Sequence, residues 1–251
     1  MIDTGHIVCT IKKKRKNKES PERRYGKICL KEPEDFLVGQ SIVMSSEFLL
    51  KKYSLLLSGK ECAVFGYGKI GRSISRCLSA RSISTKIVEI DPILSVQALS
   101  VGFPISSKEK VLRTADVIFS CTGNKNLKVS DLHTLKNNAI IISVTSADDE
   151  FSFINLEDEF HTRSNSTEIC LLESNVNQKR FYLANRGNAM NFMFGDYSAS
   201  LGNFIRLVQA EIIIAITELL KGKAVGFYEV DEDTKRRIAD TWLTTYHDKG
   251  E

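Results

Sequence analysis

The chain of 251 residues is 42% hydrophobic, 26% charged and 8% aromatic, an ordinary globular composition that excludes disorder and a collagen-like repeat. Its longest apolar run, Ile212 to Ile216, is far short of the roughly 20 residues that a membrane-spanning helix needs. The formal net charge of +4 comes from 35 basic and 31 acidic residues, and its excess lies in residues 1–35, which hold ten Lys/Arg against six Asp/Glu.

The basic run Lys12-Lys13-Lys14-Arg15-Lys16-Asn17-Lys18 follows a short apolar segment, and no apolar stretch of signal-peptide length comes after it. A cytoplasmic protein is expected. No aromatic residue interrupts the run to stack on bases, so it reads as a solvated arm over 1–35 and nucleic-acid binding is not expected. The six cysteines and four histidines form no C-x-x-C, H-x-x-x-H or short mixed pair. No metal site and a reducing compartment are therefore expected.

From Gly59 onward, short β-rich runs alternate with longer amphipathic ones, the pattern of βαβ units in a doubly wound, Rossmann-like α/β fold with a mostly parallel sheet. Glu61–Phe65 is a first predicted strand. Ile70, Ile74, Cys77 and Leu78 then form one apolar stripe on a helix over about 69–81. A second strand is predicted over Lys86–Ile90, with a helix from Pro92 and a third strand near Gly102–Ile105. Ala115–Cys121 and Ala139–Val144 are apolar over most of their length, as strands covered on both faces should be. Ile169–Leu172 and Arg180–Ala184 are further candidates.

After Gly187 a Gly/Asn-rich segment leads into a long helix predicted over about 198–220, with Phe204, Leu207, Val208, Ile212, Ala215, Ile216 and Leu219 on one broad face. That face is wider than one sheet covers, which points to a second layer, either another segment of this chain or another subunit, in a homo-oligomer or with a partner chain. A last helix is predicted over about 232–246, where Asp231-Glu232-Asp233 suits the positive end of the dipole. The sequence thus divides into the arm, 1–35, and a dinucleotide-binding domain with C-terminal helices, 36–251.

Gly66-Tyr67-Gly68-Lys69-Ile70-Gly71 falls between the first strand and the following helix, which is the context that G-x-G-x-x-G requires. Gly66 permits a tight turn, Gly68 lets a pyrophosphate approach the backbone, and Gly71 lets helix and strand pack closely. The helix N-terminus then offers free N–H groups to phosphate. Glu89, 18 residues past Gly71, ends the second strand, where a carboxylate accepts hydrogen bonds from the adenosine ribose and repels a 2′-phosphate. NAD is favoured over NADP. A bland alternative for Glu89 is a surface ion pair with Lys86 or Arg81. For Cys62 and Cys121 the plain reading is a small buried thiol.

Gly59-Lys60, Val64-Phe65-Gly66-Tyr67-Gly68-Lys69-Ile70-Gly71-Arg72, Val88-Glu89-Ile90-Asp91-Pro92, Gln97-Ala98, Thr122-Gly123 and Ala139-Ile140-Ile141 together closely resemble the cofactor domain of the S-adenosylhomocysteine hydrolase family. The resemblance extends over residues 36–246, from Gly39-Gln40-Ser41, matching the start of a preceding helix, to Val225-Gly226-Phe227 and Trp242. It implies a tightly held NAD, with Gly66, Gly68, Lys69, Ile70 and Gly71 at the pyrophosphate and Glu89 at the ribose. Thr122, Gly123 and Asn124 would line the middle of the cofactor, and Ser143, Val144, Thr145 and Asn191 its nicotinamide end. The family also uses the helix matching 198–220 in subunit packing.

Two departures bear on activity. About 35 residues precede the matching region where the family has a large substrate domain, and Ser143-Val144-Thr145-Ser146-Ala147-Asp148 replaces the family's Asn-x-Gly-His-x-Asp, keeping only the aspartate. Hydrolysis of adenosylhomocysteine by this chain alone is not expected. The remaining candidates for proton transfer near the nicotinamide are Asp148, Asp196, Tyr197 and His133, each with a structural alternative as cap, packing aromatic or surface group. The function expected is NAD(H) binding, with hydride transfer on a nucleoside-like or small hydroxy substrate. The alternative is a non-catalytic module, or one polypeptide of an assembly that completes its site with a partner chain.

Overall fold

The computed structural model describes residues 6–9, 24–27, 29–145, 150–153, 156–193, 202–221 and 227–247. Its contacts divide the chain into two compact units, residues 35–200 and residues 1–34 with 201–251.

The larger unit is built on a mostly parallel sheet. Its strands are β3 (Cys62–Phe65), β4 (Thr85–Val88), β5 (Val117–Ser120), β7 (Ala139–Ser143), β9 (Phe160–Asn165), β10 (Ile169–Ser174) and β11 (Arg180–Ala184), in the order β4-β3-β5-β7-β11-β10-β9. Of these, only β10 runs against its neighbours, pairing antiparallel with both β11 and β9. Every residue of β3, β5 and β7 is buried, which is why these runs carry no polar alternation. One face packs Phe65, Ile118, Ile141, Leu183 and Phe181 against Val111, Leu112, Leu132 and Leu135. Phe160 meets Phe181 edge-on, with ring centroids 5.4 Å apart.

Helix α2 (Lys69–Ser79) follows β3 and buries Ile74, Cys77 and Leu78 of the predicted stripe, while Ile70, in its first turn, is only half-buried. Helix α1 (Glu32–Lys52) precedes the sheet and starts before Gly39, which lies within it. A Cβ on Gly39 would come within 2.4 Å of Ser73 on α2, and the Ser73 hydroxyl donates to Phe36 O at 2.6 Å. Glycine and serine thus let two helices touch nearly backbone to backbone. Helix α3 (Pro92–Ser100) begins at Asp91, whose carboxylate caps Ile93 N and Leu94 N.

The strand predicted near Gly102–Ile105 is reduced to one bridge, Ile105 to Ile87. Gly102 turns the chain at φ +91°, and Pro104 has no N–H to extend a ladder, although its carbonyl accepts from Ile87 N. Helix α4 (Lys108–Thr114) then leads into β5. Two further strands, β6 (Leu127–Lys128) and β8 (Phe151–Ser152), pair with one another in parallel.

The second unit joins the chain ends. Strands β1 (His6–Cys9) and β2 (Arg24–Lys27) form an antiparallel pair, and β12 (Phe227–Glu229) adds in parallel to β2. Within this unit Tyr25–Lys27 thus pair with Phe227–Glu229 from the C-terminal segment. The basic run 12–18 lies outside the described residues. The predicted long helix is Ile205–Leu220, preceded by a short 3-10 turn in which Gly202 has φ +55°, and the last helix is Glu232–Tyr246. Glu211, fully buried, accepts from Leu30 N at 2.7 Å. Ile213 and Leu220 on the long helix are largely exposed. Among the described residues no helix is long and apolar enough to cross a membrane.

Candidate functional site

From β3 the chain passes by α2 to β4, then returns past β3 to β5 on its other side. The order therefore reverses between β3 and β5, and the crevice beyond their carboxyl ends is where open α/β sheets bind ligands.

The loop leaving β3 fills one wall of that crevice. Gly66 adopts φ +92°, and a Cβ there would lie 2.9 Å from Cys121 O. A Cβ on Gly71 would lie 2.1 Å from Gly66 O, so the first turn of α2 sits directly on the loop. Gly68 is different: a Cβ there meets no atom within 4 Å. It leads into a helix start that no side chain caps, so the first backbone N–H groups have no side-chain acceptor there. Lys69 puts a cation at the positive end of the helix, offset by the buried Asp35 carboxylate 3.4 Å away. Ile70 is half-buried behind it.

Glu89 is held against this loop. Its Oε2 accepts from Tyr67 N at 2.6 Å, and its Oε1 from Ile90 N and Asp91 N at 2.7 and 2.8 Å. The surface-pair alternative does not hold, because Lys86 pairs with Glu61 and Arg81 with Glu47. Tyr67 is buried although it lies in a loop. Its ring packs near Phe103 and under the Arg72 guanidinium, whose Nε donates to Tyr67 O at 3.1 Å. The side chain between the two glycines is thus a buried anchor of the loop.

The opposite wall follows β5 and β7. Thr122 N and Gly123 N donate to Glu150 Oε2 and Oε1 at 3.0 and 2.8 Å, and the hydroxyls of Ser120, Thr122 and Thr145 lie 2.7–3.1 Å from the same carboxylate. Glu150 is fully buried. Sequence reasoning missed it because it closes an acidic run, Asp148-Asp149-Glu150, that reads as a cap. Asn124 is exposed, and Val144 is buried with its N–H on Ser120 O. The Ser143 hydroxyl donates to Thr145 O at 2.6 Å, so Ser143 and Thr145 spend their side chains on the protein itself. The Cys121 thiol lies 3.0 Å from Phe65 O; burial, with the charges of Glu150 and Glu89, pushes it well above the ordinary thiol range. It is a packing thiol.

Asn191, in a 3-10 turn after the carboxyl end of β11, is 5% exposed, and its Oδ1 finds no hydrogen-bond partner among the described residues. A buried acceptor left unpaired is costly, and a ligand amide N–H would satisfy it. His133 lies elsewhere. It bonds Glu159 at 2.5 Å and stacks on Phe160, beside Leu135, Lys136 and Asn137, which lead into the amino end of β7. The structure does not bring it to the crevice. Asp148, Asp196 and Tyr197 lie outside the described residues.

The reversed strand order, the glycine loop that tolerates no Cβ at Gly71 and the carboxylate at the end of β4 define a Rossmann-type dinucleotide-binding protein. A family model, the NAD-binding domain of S-adenosyl-L-homocysteine hydrolase, matches residues 41–193, and the chain belongs to that family. NAD is the cofactor of this domain, and the open space at Gly68, the uncapped α2 and the orphaned Asn191 oxygen fit it.

An S-inosyl-L-homocysteine hydrolase of Methanopyrus kandleri is 25% identical over 78% of this chain and 47% of its own length. Adenosylhomocysteinases of Plasmodium yoelii yoelii and Triticum aestivum are 31% and 34% identical, each over 43% of this chain and 23% of the relative. The chain spans less than half the length of these relatives. Among solved structures, a polypeptide of the dipicolinate synthase of Bacillus halodurans is 18% identical with a TM-score of 0.43, over 50% of this chain and 45% of that one. A D-lactate dehydrogenase of Salmonella is 20% identical with a TM-score of 0.39, over 47% and 42%.

Proposed function

We propose that the chain is an NAD(H)-binding module that selects the dinucleotide without a 2′-phosphate. The observation that carries this is the Glu89 carboxylate bonded to Tyr67 N, which makes the ribose-reading group and the phosphate loop one unit. The N–H groups after Gly68, from Lys69 to Gly71, face the pyrophosphate, and the Lys69 ammonium adds charge attraction. Thr122 and Gly123 give their N–H groups to Glu150, so they offer the cofactor their carbonyls, and Asn124 its side chain. Ser143, Val144 and Thr145 shape the nicotinamide end, where Asn191 Oδ1 accepts from the carboxamide. Bound NAD supplies a hydride acceptor at its nicotinamide ring. Titration calorimetry tests the reading: NADH should bind at least about tenfold more tightly than NADPH, and equal affinity for both, or none for either, would overturn it.

A second reading is favoured by Asn191, because fixing the carboxamide orients one face of the ring, which matters for hydride transfer. The relatives named for S-inosyl- and adenosylhomocysteine point to a hydroxyl or ketone of a nucleoside-like substrate, with a partner chain completing the site. Absorbance of reduced nicotinamide after adding nucleosides to the NAD-loaded protein separates the two readings. Exposed Ile213 and Leu220 support self-association through the helix Ile205–Leu220, and a monomer by light scattering at micromolar concentration would count against it.

A further inference from the structure

Glu150 stands out once the two walls of the crevice are compared. It is a fully buried carboxylate that answers five donors from two different segments. Ser120, Thr122 and Gly123 belong to the end of β5 and the turn after it, whereas Thr145 follows β7. The two strands are neighbours in the sheet, with Ser120 opposite Ser143, so their trailing segments must be held at a fixed separation if both are to meet one ligand. No other described side chain is shown bonding to both. The strand order places Glu89 at the end of β4 and the phosphate loop at the end of β3, and this leaves the carboxyl ends of β5 and β7 to the half of the dinucleotide beyond the pyrophosphate.

We propose that Glu150 is a positioning residue for the nicotinamide half of the cofactor and has no part in holding the adenosine half. This rests on the NAD-binding reading above. The chemistry demands a carboxylate, because Oε1 faces Gly123 N and Oε2 faces Thr122 N, both of which are donors that cannot turn away. Glutamine has nearly the same shape, but whichever way its amide is set, the NH2 group faces one of those N–H groups. One main-chain donor loses its acceptor and meets another donor, and the turn after β5 must shift.

The test compares wild-type protein with Glu150→Gln by titration with NADH and with ADP, alongside thermal unfolding. ADP carries the adenosine and pyrophosphate but no nicotinamide. The expected result is an NADH affinity reduced at least about tenfold in the variant, with ADP affinity within about twofold of wild type. Unchanged NADH binding, or an equal loss for both ligands, overturns the proposal, since the residue would then be inert or merely structural. If Glu150→Gln does not fold, Thr145→Val removes the single donor from the β7 side and should show the same selective loss in milder form; equal effects on the two ligands would again overturn it. Wild-type protein that binds neither ligand would instead defeat the NAD-binding reading, so the two failures are distinguishable.

Discussion

Glu89 Oε2 and Tyr67 N are 2.6 Å apart, so the residue that follows β4 is bonded directly to the glycine loop that follows β3. Replacing Glu89 by Ala leaves the Tyr67, Ile90 and Asp91 N–H groups without their acceptor and removes the charge that opposes a 2′-phosphate. Hydrogen bonds to a charged group contribute about 1.5–3 kcal/mol each. NADH affinity should fall by roughly tenfold or more and the preference over NADPH should narrow, as parallel titrations would show.

Gly68 and Gly71 should respond in opposite ways to enlargement. Gly68 has φ −66°, which any residue adopts, and open space beyond its Cα. Gly68→Val should therefore leave the unfolding midpoint close to wild type while abolishing NADH binding, because the added methyls stand where phosphate must approach. Gly71→Ala drives a methyl into Gly66 O and should cost about 1–3 kcal/mol or more in denaturant unfolding. A Gly68→Val protein that still binds NADH would show that the phosphates lie elsewhere.

Glu173 gives a pH dependence with a definite sign. The guanidinium of Arg163, with that of Arg180, holds its carboxyl down at about 2. A carboxyl depressed in the folded state contributes stability above its unfolded value, near 4.5, and loses it as pH falls towards about 2. Thermal stability should drop across that window, and Glu173→Gln should flatten this part of the profile while lowering the midpoint at neutral pH.

Two thiols should resist alkylation in the folded protein. Burial, with nearby Asp116 and Glu61, pushes Cys62 up to about 12, and burial pushes Cys121 well above its ordinary range. At mildly alkaline pH neither should react with iodoacetamide until the protein is unfolded, as peptide mass mapping would show. Rapid modification of Cys121 in the native protein would contradict its packing role.

The sheet was legible because parallel strands buried on both faces must be apolar throughout, and β3, β5 and β7 are. Arg180–Ala184 and the last helix emerge at the predicted residues, the latter because Asp231 caps Thr234 N as its position suggests. The glycine loop was legible because Gly66 and Gly71 answer local steric demands, against Cys121 O and Gly66 O, whereas Gly68 meets no atom of the protein. What escaped depends on distant partners. Phe160–Asn165, with His161, Arg163 and Ser164 in it, is a strand only because β10 supplies its ladder. The pairing of β1 and β2 with β12 joins segments about 200 residues apart, which no local pattern encodes. Glu150 was overlooked for the same reason: its donors are local to other strands. His133 illustrates the converse, a titratable side chain whose proximity in sequence to the crevice strands says nothing about which end of the sheet it occupies.

The near-contact of α1 with α2 bears on how fast and how cheaply an anion is captured. With Ser73 pinned to Phe36 O and no room between Gly39 and Ser73 for a methyl group, α2 is braced by a 21-residue helix. On the proposed NAD-binding reading, N–H groups held in place by that brace meet the pyrophosphate already positioned, so little conformational entropy is lost on association. Loosening that brace, for instance with Gly39→Leu, would weaken dinucleotide binding without altering a single atom that touches the ligand.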